Sequence, residues 1–254
     1  MKSLWLETEQ ANLRYHDLPG SGSPLIFIHG LGCASSCDYP TVAADPALAG
    51  RRMLLVDLLG SGFSDRPADF GYTIDLHART IVQLIGRLDL GSVDLFGHSM
   101  GGAVAIMAAR LLGNRVQHLV LSEPNLAPGG GIFSRGIAEM AEADYVAQGH
   151  DDLIRRFSGV DNGTWAASLA VSAPYAVHRG ASSLVAGSSP SWGEHLYALP
   201  LPKTLIFGSQ TLPHPDAEEL PRDGVAIEIV PDAGHSMAWD NPAGLADAIS
   251  RAIA

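Results

Sequence analysis

Short apolar runs separated by polar, glycine-rich turns recur along the chain. Residues 24–28, 53–57, 93–96, 118–122, 204–208 and 226–230 are such runs. Each is too short for a helix and mostly lacks in/out alternation, which predicts strands buried on both faces. Residues 4–8 and 13–17 read as two further short strands, joined by a turn near 9–12. Between the runs the period changes. Ile74, His77, Ala78, Ile81, Val82, Leu84, Ile85 and Leu88 repeat at helical spacing, with Thr73 placed to cap the first turn. Residues 102–109 are nearly all small and apolar and predict a closely packed helix. A last helix starts at about Pro242, where proline suits the first turn, and runs towards Ile253. Strands alternating with helices predict βαβ units, a mostly parallel sheet, and right-handed crossovers that place helices on both faces.

The alternation stops between about Ala127 and Pro200. No strand is predicted there. Helical segments are expected near 133–148, 151–158 and 162–172. Large apolar side chains, among them Phe133, Met140, Tyr145, Phe157, Trp165 and Trp192, crowd the stretch. It follows a strand end, where ligands bind in open α/β sheets. The expected organisation is therefore an α/β core of residues 1–126 and 201–254 with a helical lid of residues 127–200.

Composition sharpens this picture. The 254 residues are 46% hydrophobic and 17% charged, enough apolar material for one sizeable core. Net charge is −11, and the basic residues do not cluster beyond the pairs Arg51-Arg52 and Arg155-Arg156. That excludes a phosphate-binding face, hence nucleic acid and anionic membrane as partners. The start of the chain lacks a secretory pattern, and no apolar run approaches the ~18 residues of a membrane span. A cytoplasmic enzyme with a small-molecule substrate is expected. Cys33 and Cys37 have no matching ligand pair for zinc, so both are expected to be reduced, packed thiols. The glycines at 129–131 and the Gly60-Ser61-Gly62 stretch lack the spacing of phosphate or dinucleotide loops and read as turns. No cofactor and no metal are expected.

The chemistry concentrates at Gly97-His98-Ser99-Met100-Gly101, a G-x-S-x-G pentapeptide between a predicted strand and a predicted helix. In that context the serine sits on a sharp turn that lifts its hydroxyl clear of the sheet. A serine hydroxyl needs a neighbouring base, and the base needs an orienting carboxylate. His235 lies in Pro231-Asp232-Ala233-Gly234-His235, after the last predicted strand, where such a base belongs. His98, next to the serine, is read as a packing residue directed away from it.

These motifs, with His29-Gly30-Leu31-Gly32 and Asp57-Leu58-Leu59-Gly60-Ser61-Gly62-Phe63-Ser64, make the chain resemble the α/β-hydrolase superfamily from about Arg14 onward. The resemblance implies an eight-stranded sheet, a lid between strands six and seven, and an oxyanion hole from the backbone N–H groups of Leu31 and Met100. It also exposes a departure. Many relatives carry an aspartate shortly after strand seven, where this chain has Thr211. Some place the acid after strand six, which here is Glu123. We read Glu123 as the acid, with Asp216, suited to a helix N-cap, as the alternative. Asp232 is read as a loop-structuring residue. A Ser–Glu–His layout with the acid after strand six is similar to that of the zearalenone lactonases, in layout only. The expected activity is hydrolysis of a small, largely apolar ester or lactone through an acyl-enzyme on Ser99. Other reactions on the same fold (carbon–carbon bond hydrolysis, perhydrolysis, hydroxynitrile cleavage) and a slow-turnover ligand receptor stand as alternatives.

Overall fold

The apolar runs lie side by side in one sheet. In the computed structural model, which describes residues 1–159, 163–214 and 224–254, the strands are β1 (Lys2–Leu6), β2 (Ala11–Leu18), β3 (Ser21–Ile28), β4 (Arg51–Asp57), β5 (Val93–His98), β6 (Val116–Ser122), β7 (Lys203–Gly208) and β8 (Val225–Val230). Their order is β1-β2-β4-β3-β5-β6-β7-β8. The β1–β2 and β2–β4 pairs are antiparallel; every pair from β4 through β8 is parallel. The eight-stranded, mostly parallel α/β fold expected from the sequence is therefore the fold observed.

Inner strands read as unbroken apolar runs because each feeds two cores. On β3, Ile26 and Ile28 face one core while Leu25 and Phe27 face the other. The first core packs under α3 (Ile74–Arg87) and α4 (Met100–Leu112); the second packs under α2 (Pro40–Ala43) and α12 (Pro242–Ala252). Thr73 caps α3 by accepting from the Leu76 N–H at 3.3 Å, and Asp75 and Arg87 stand at the ends their charges favour. Asp94, the acidic residue within the β5 run, is buried but paired: Arg51 donates to one carboxylate oxygen at 2.9 Å and His118 Nδ1 lies 2.8 Å from the other.

Strand order sets where the site opens. β4 lies on one side of β3 and β5 on the other, so the crossovers diverge at the carboxyl end of β3, the switch point where a crevice forms. Strand register keeps the carboxyl ends close together: Ile28 pairs with Gly97, His98 with Ser122, and Ser122 with Ile206.

Between β6 and β7 the structure has α5 (Ile132–Ala138), α6 (Glu142–Asp144), a single π-helical turn (Tyr145–Gly149), α7 (His150–Phe157), α8 (Gly163–Leu169), α9 (Pro174–Ala186) and α10 (Trp192–Ala198). The long helix expected over 133–148 is broken into these shorter pieces. α9 and α10 lie where no helix was expected. The α9 sequence is rich in small and polar residues, so its helical period is faint, and it is held by burying Val177, Ala181 and Leu184. The other short helices are α1 (Ser35–Asp38) and α11 (Met237–Asp240). Among the described residues, no helix is long and apolar enough to cross a membrane.

Candidate active site

Ser99 joins β5 to α4 at φ 52° and ψ −118°, a strained conformation for a residue with a side chain. The flanking glycines make the turn possible. A Cβ on Gly97 would stand 2.4 Å from the Gly101 carbonyl oxygen, and one on Gly101 would stand 2.3 Å from that of Ile28. The turn is pinned by the Ser99 N–H donating to the Ser122 carbonyl at 2.9 Å. Met100 opens α4, so its N–H is one of the unpaired donors at a helix N-terminus.

The loop after β3 is fixed from two sides. His29 is fully buried; its Nε2 accepts from the Leu58 N–H at 3.0 Å, which leaves Nδ1 to donate to the Gly30 carbonyl at 2.8 Å. Burial lowers the His29 pKa and keeps the ring neutral, as that tautomer needs. The Trp165 indole N–H, on α8, donates to the Leu31 carbonyl at 2.9 Å. The side chains of Leu31 and Met100 converge on one point of α9: a Cβ on Gly180 would stand 3.2 and 3.4 Å from them.

Glu123 follows β6, at φ 40° and only 7% exposed. Its Oε1 accepts from the Gly208 N–H at 3.0 Å and from the Thr211 hydroxyl at 2.5 Å; its Oε2 accepts from His235 Nδ1 at 2.6 Å. Burial pushes the carboxyl up, but the His235 hydrogen bond and charge, together with the Thr211 and Gly208 donors, outweigh it and bring the pKa down to about 2. Asp216, the alternative acid, lies outside the described residues.

His235 is brought in by close backbone packing. Gly208 ends β7 where a Cβ would stand 2.4 Å from both the Ala233 and Gly234 carbonyl oxygens, so only glycine lets the histidine loop approach. Asp232 sits at φ 52°, and its N–H donates to Ser209 Oγ at 3.0 Å, consistent with a turn role. With Nδ1 donating to Glu123, neutral His235 has Nε2 free to accept a proton. The His98 ring lies 4.7 Å from the His235 ring, and its Nδ1 is 3.2 Å from the Ser122 carbonyl oxygen. It does pack, as expected, but the surface it packs on is His235. Burial, with the nearby His235 charge, takes His98 down to about 3, so it remains neutral.

Ser99, Glu123, Thr211, His98 and His235 all line one cavity of about 600 Å³, whose walls also include Leu31, Ile132, Phe133 and Trp165. The structure thus joins Glu123 to His235 directly and sets Ser99 on the wall of the same cavity. Sequence reasoning missed Thr211, noted only as a missing aspartate, and the Trp165 anchor. For Thr211 the signal was present: a hydroxyl donor stands where relatives keep an acid. Cys33 is buried on the cavity wall, but Cys37 is exposed, which corrects the expectation of two packed thiols. The four-residue α1 turns it outward.

The family model described as alpha/beta hydrolase fold matches residues 23–242. A 2-hydroxymuconate semialdehyde hydrolase from Pseudomonas sp. (strain CF600) is 38% identical over 107 residues, 42% of this chain and 38% of that protein. The chain spans roughly a third to two fifths of the length of the curated relatives it matches. An esterase from Exiguobacterium antarcticum superposes with a TM-score of 0.80 at 20% identity, covering 99% of this chain and 98% of that one. The N-acyl homoserine lactonase AidH superposes with a TM-score of 0.75 at 18% identity, covering 99% and 97%.

Proposed function

This chain belongs to the alpha/beta hydrolase fold family, and from that premise we propose that it is a serine hydrolase cleaving a small, largely apolar carboxylic ester or lactone. The observation that carries this reading is the Glu123–His235 hydrogen bond of 2.6 Å on the wall of the cavity that also holds Ser99. In this reading Ser99 Oγ attacks the acyl carbonyl carbon while His235 Nε2 takes the hydroxyl proton. Glu123 orients the imidazole and stabilises its charged form. The Leu31 and Met100 N–H groups hold the oxyanion, each contributing about 10²–10³ in rate. The tetrahedral adduct collapses, the alkoxide leaves with the proton from His235, and the acyl group stays on Ser99. Water then attacks the acyl-enzyme, giving its proton to His235, which returns it to Ser99. Residues 127–200 act as a lid over a core of residues 1–126 and 201–254, and the apolar residues Ile132, Phe133 and Trp165 grip the substrate. Similarity to an esterase and to a lactonase supports the ester or lactone class. The charge pattern supports a small molecule, with neither nucleic acid nor membrane as partner, and a cytoplasmic setting.

The test is hydrolysis of p-nitrophenyl esters of increasing acyl length and of several lactones, with Ser99→Ala beside the wild type. Activity lost in the variant supports the reading, and its chain-length profile sizes the cavity. A second reading, hydrolysis of a carbon–carbon bond next to a ketone, draws on the 38% identity to 2-hydroxymuconate semialdehyde hydrolase. There the same serine attacks the ketone, and a resonance-stabilised carbanion leaves and takes the proton. No Ser99-dependent cleavage of any ester or lactone, with Ser99-dependent cleavage of a vinylogous diketone, would put that reading first.

A further inference from the structure

The His235 side chain is half exposed, so its surroundings grip it loosely. Glu123 holds its Nδ1 at 2.6 Å. One bond fixes one corner of the ring. The terminal torsion of a histidine is broad, which leaves the ring free to pivot about that corner. Pivoting swings Nε2 away from Ser99. A second contact bears on the ring itself: His98 lies against it, with centroids 4.7 Å apart and planes tilted by 48°. His98 is in turn locked to the nucleophile. It immediately precedes Ser99, and its Nδ1 lies 3.2 Å from the Ser122 carbonyl oxygen and 3.3 Å from the Ser122 hydroxyl. The same carbonyl accepts from the Ser99 N–H at 2.9 Å. Gly30 passes close on another side: a Cβ there would stand 3.2 Å from His98 Cδ2. One carbonyl thus pins both the nucleophile's turn and the ring on which the base rests.

We infer that His98 is a positioning residue: its ring ties the aim of His235 Nε2 to the turn that carries Ser99. This deepens, and rests on, the serine-hydrolase reading of the site. The ring suits the task because it is neutral. Its Nδ1 faces a carbonyl and therefore carries the proton, which leaves Nε2 bare and the ring uncharged. A neutral ring sets no charge against the imidazolium that His235 becomes on taking the serine proton; a cation at position 98 would oppose it. The two half-reactions depend on the ring unequally. In acylation Nε2 must meet Ser99 Oγ, which the turn fixes in place. In deacylation it must meet a water, which can follow a displaced ring. Loss of the His98 ring therefore slows acylation more than deacylation, whereas a general loss of packing slows both alike.

Stopped-flow kinetics with a p-nitrophenyl ester give both rate constants, acylation from the burst and deacylation from the steady state. In His98→Ala, acylation is expected to slow about 10- to 100-fold, the scale of an ångström of misplacement, and deacylation less than about threefold. His98→Phe keeps a ring and drops the Ser122 bond; it is expected to restore acylation to within about threefold of the wild type. His98→Asn keeps a donor to Ser122 and drops the ring; it is expected to behave like His98→Ala. Acylation within about twofold of the wild type in His98→Ala, equal slowing of both steps, failure of His98→Phe to rescue, or rescue by His98→Asn overturns the inference. If His98→Ala does not fold, the Phe and Asn variants carry the test. Should no ester be turned over, the rate at which a fluorophosphonate probe labels Ser99 reads the same aim without a substrate. Slower labelling in His98→Ala, rescued in His98→Phe, keeps the inference although the ester reading fails. Unchanged labelling, or none in the wild type, sinks it.

Discussion

Glu123 and Asp38 are both buried carboxylic acids on the wall of one cavity, and their surroundings drive them in opposite directions. Glu123 meets a backbone N–H, the Thr211 hydroxyl and the His235 ring, and is held ionised down to about 2. Asp38 meets the Cys33 thiol, the Ser168 hydroxyl and the Trp239 indole, and burial pushes it up to about 7. Each has three donors; the difference lies in the His235 hydrogen bond and charge, which outweigh burial at Glu123, whereas the neutral donors around Asp38 do not. A carboxylate with three committed donors suits a fixed role, orienting a histidine. One surrounded by neutral donors alone takes up its proton near neutral pH.

Breaking the Glu123 side should have the largest effect. Glu123→Gln keeps the shape but removes the charge and the acceptor that set the His235 tautomer. Its kcat for the best ester is expected to fall about 10³–10⁴-fold; a fall within twofold would remove Glu123 from the triad. Thr211→Val deletes one donor and leaves the other two. Steady-state kinetics should show roughly a tenfold loss in kcat, in line with one hydrogen bond to a charged group, with little change in KM.

Stability against pH sharpens the contrast further. A depressed carboxyl pKa adds stability above the ordinary glutamate range, and that stability is lost as pH falls towards about 2. A raised one does the reverse: folded Asp38 holds its proton while the unfolded chain releases it, so stability falls as pH rises from the ordinary aspartate range through about 7. Thermal melts across pH should therefore show Glu123→Gln flattening the acid side and Asp38→Asn flattening the decline towards neutral pH. Matching slopes for both variants and the wild type would contradict the assignment. The smallest effect is expected from Trp165→Phe, which frees the Leu31 carbonyl. A loss of about three- to tenfold in kcat is the scale of one neutral hydrogen bond.

Much of the frame was legible because it rests on local patterns. The inner strands announce themselves as apolar runs, since both faces of β3, β5, β6 and β7 are covered. The elbow is legible because Gly97 and Gly101 are required by backbone contacts that no side chain tolerates. Glu123 could be singled out because a carboxylate between an apolar strand and Pro124 has no other local purpose. What escaped depends on contacts between distant segments. Thr211 becomes a donor to Glu123 only when β6 and β7 pair, and Trp165 finds Leu31 across 134 positions of chain. The α9 helix is set by packing, which its mixed small and polar sequence does not reveal. Asp38 carries no signal in the sequence, and its burial beside Ser168 and Trp239 emerges only from contacts between distant segments.

The central claim is an acyl-enzyme on Ser99, and trapping it is the most direct test. The protein would be mixed with excess p-nitrophenyl ester, quenched in acid within milliseconds to seconds, and digested for mass spectrometry. The account predicts a burst of one p-nitrophenol per active site and an acyl group on the peptide containing Ser99, both lost in Ser99→Ala. Acylation at another residue, or a burst that persists in Ser99→Ala, would contradict it.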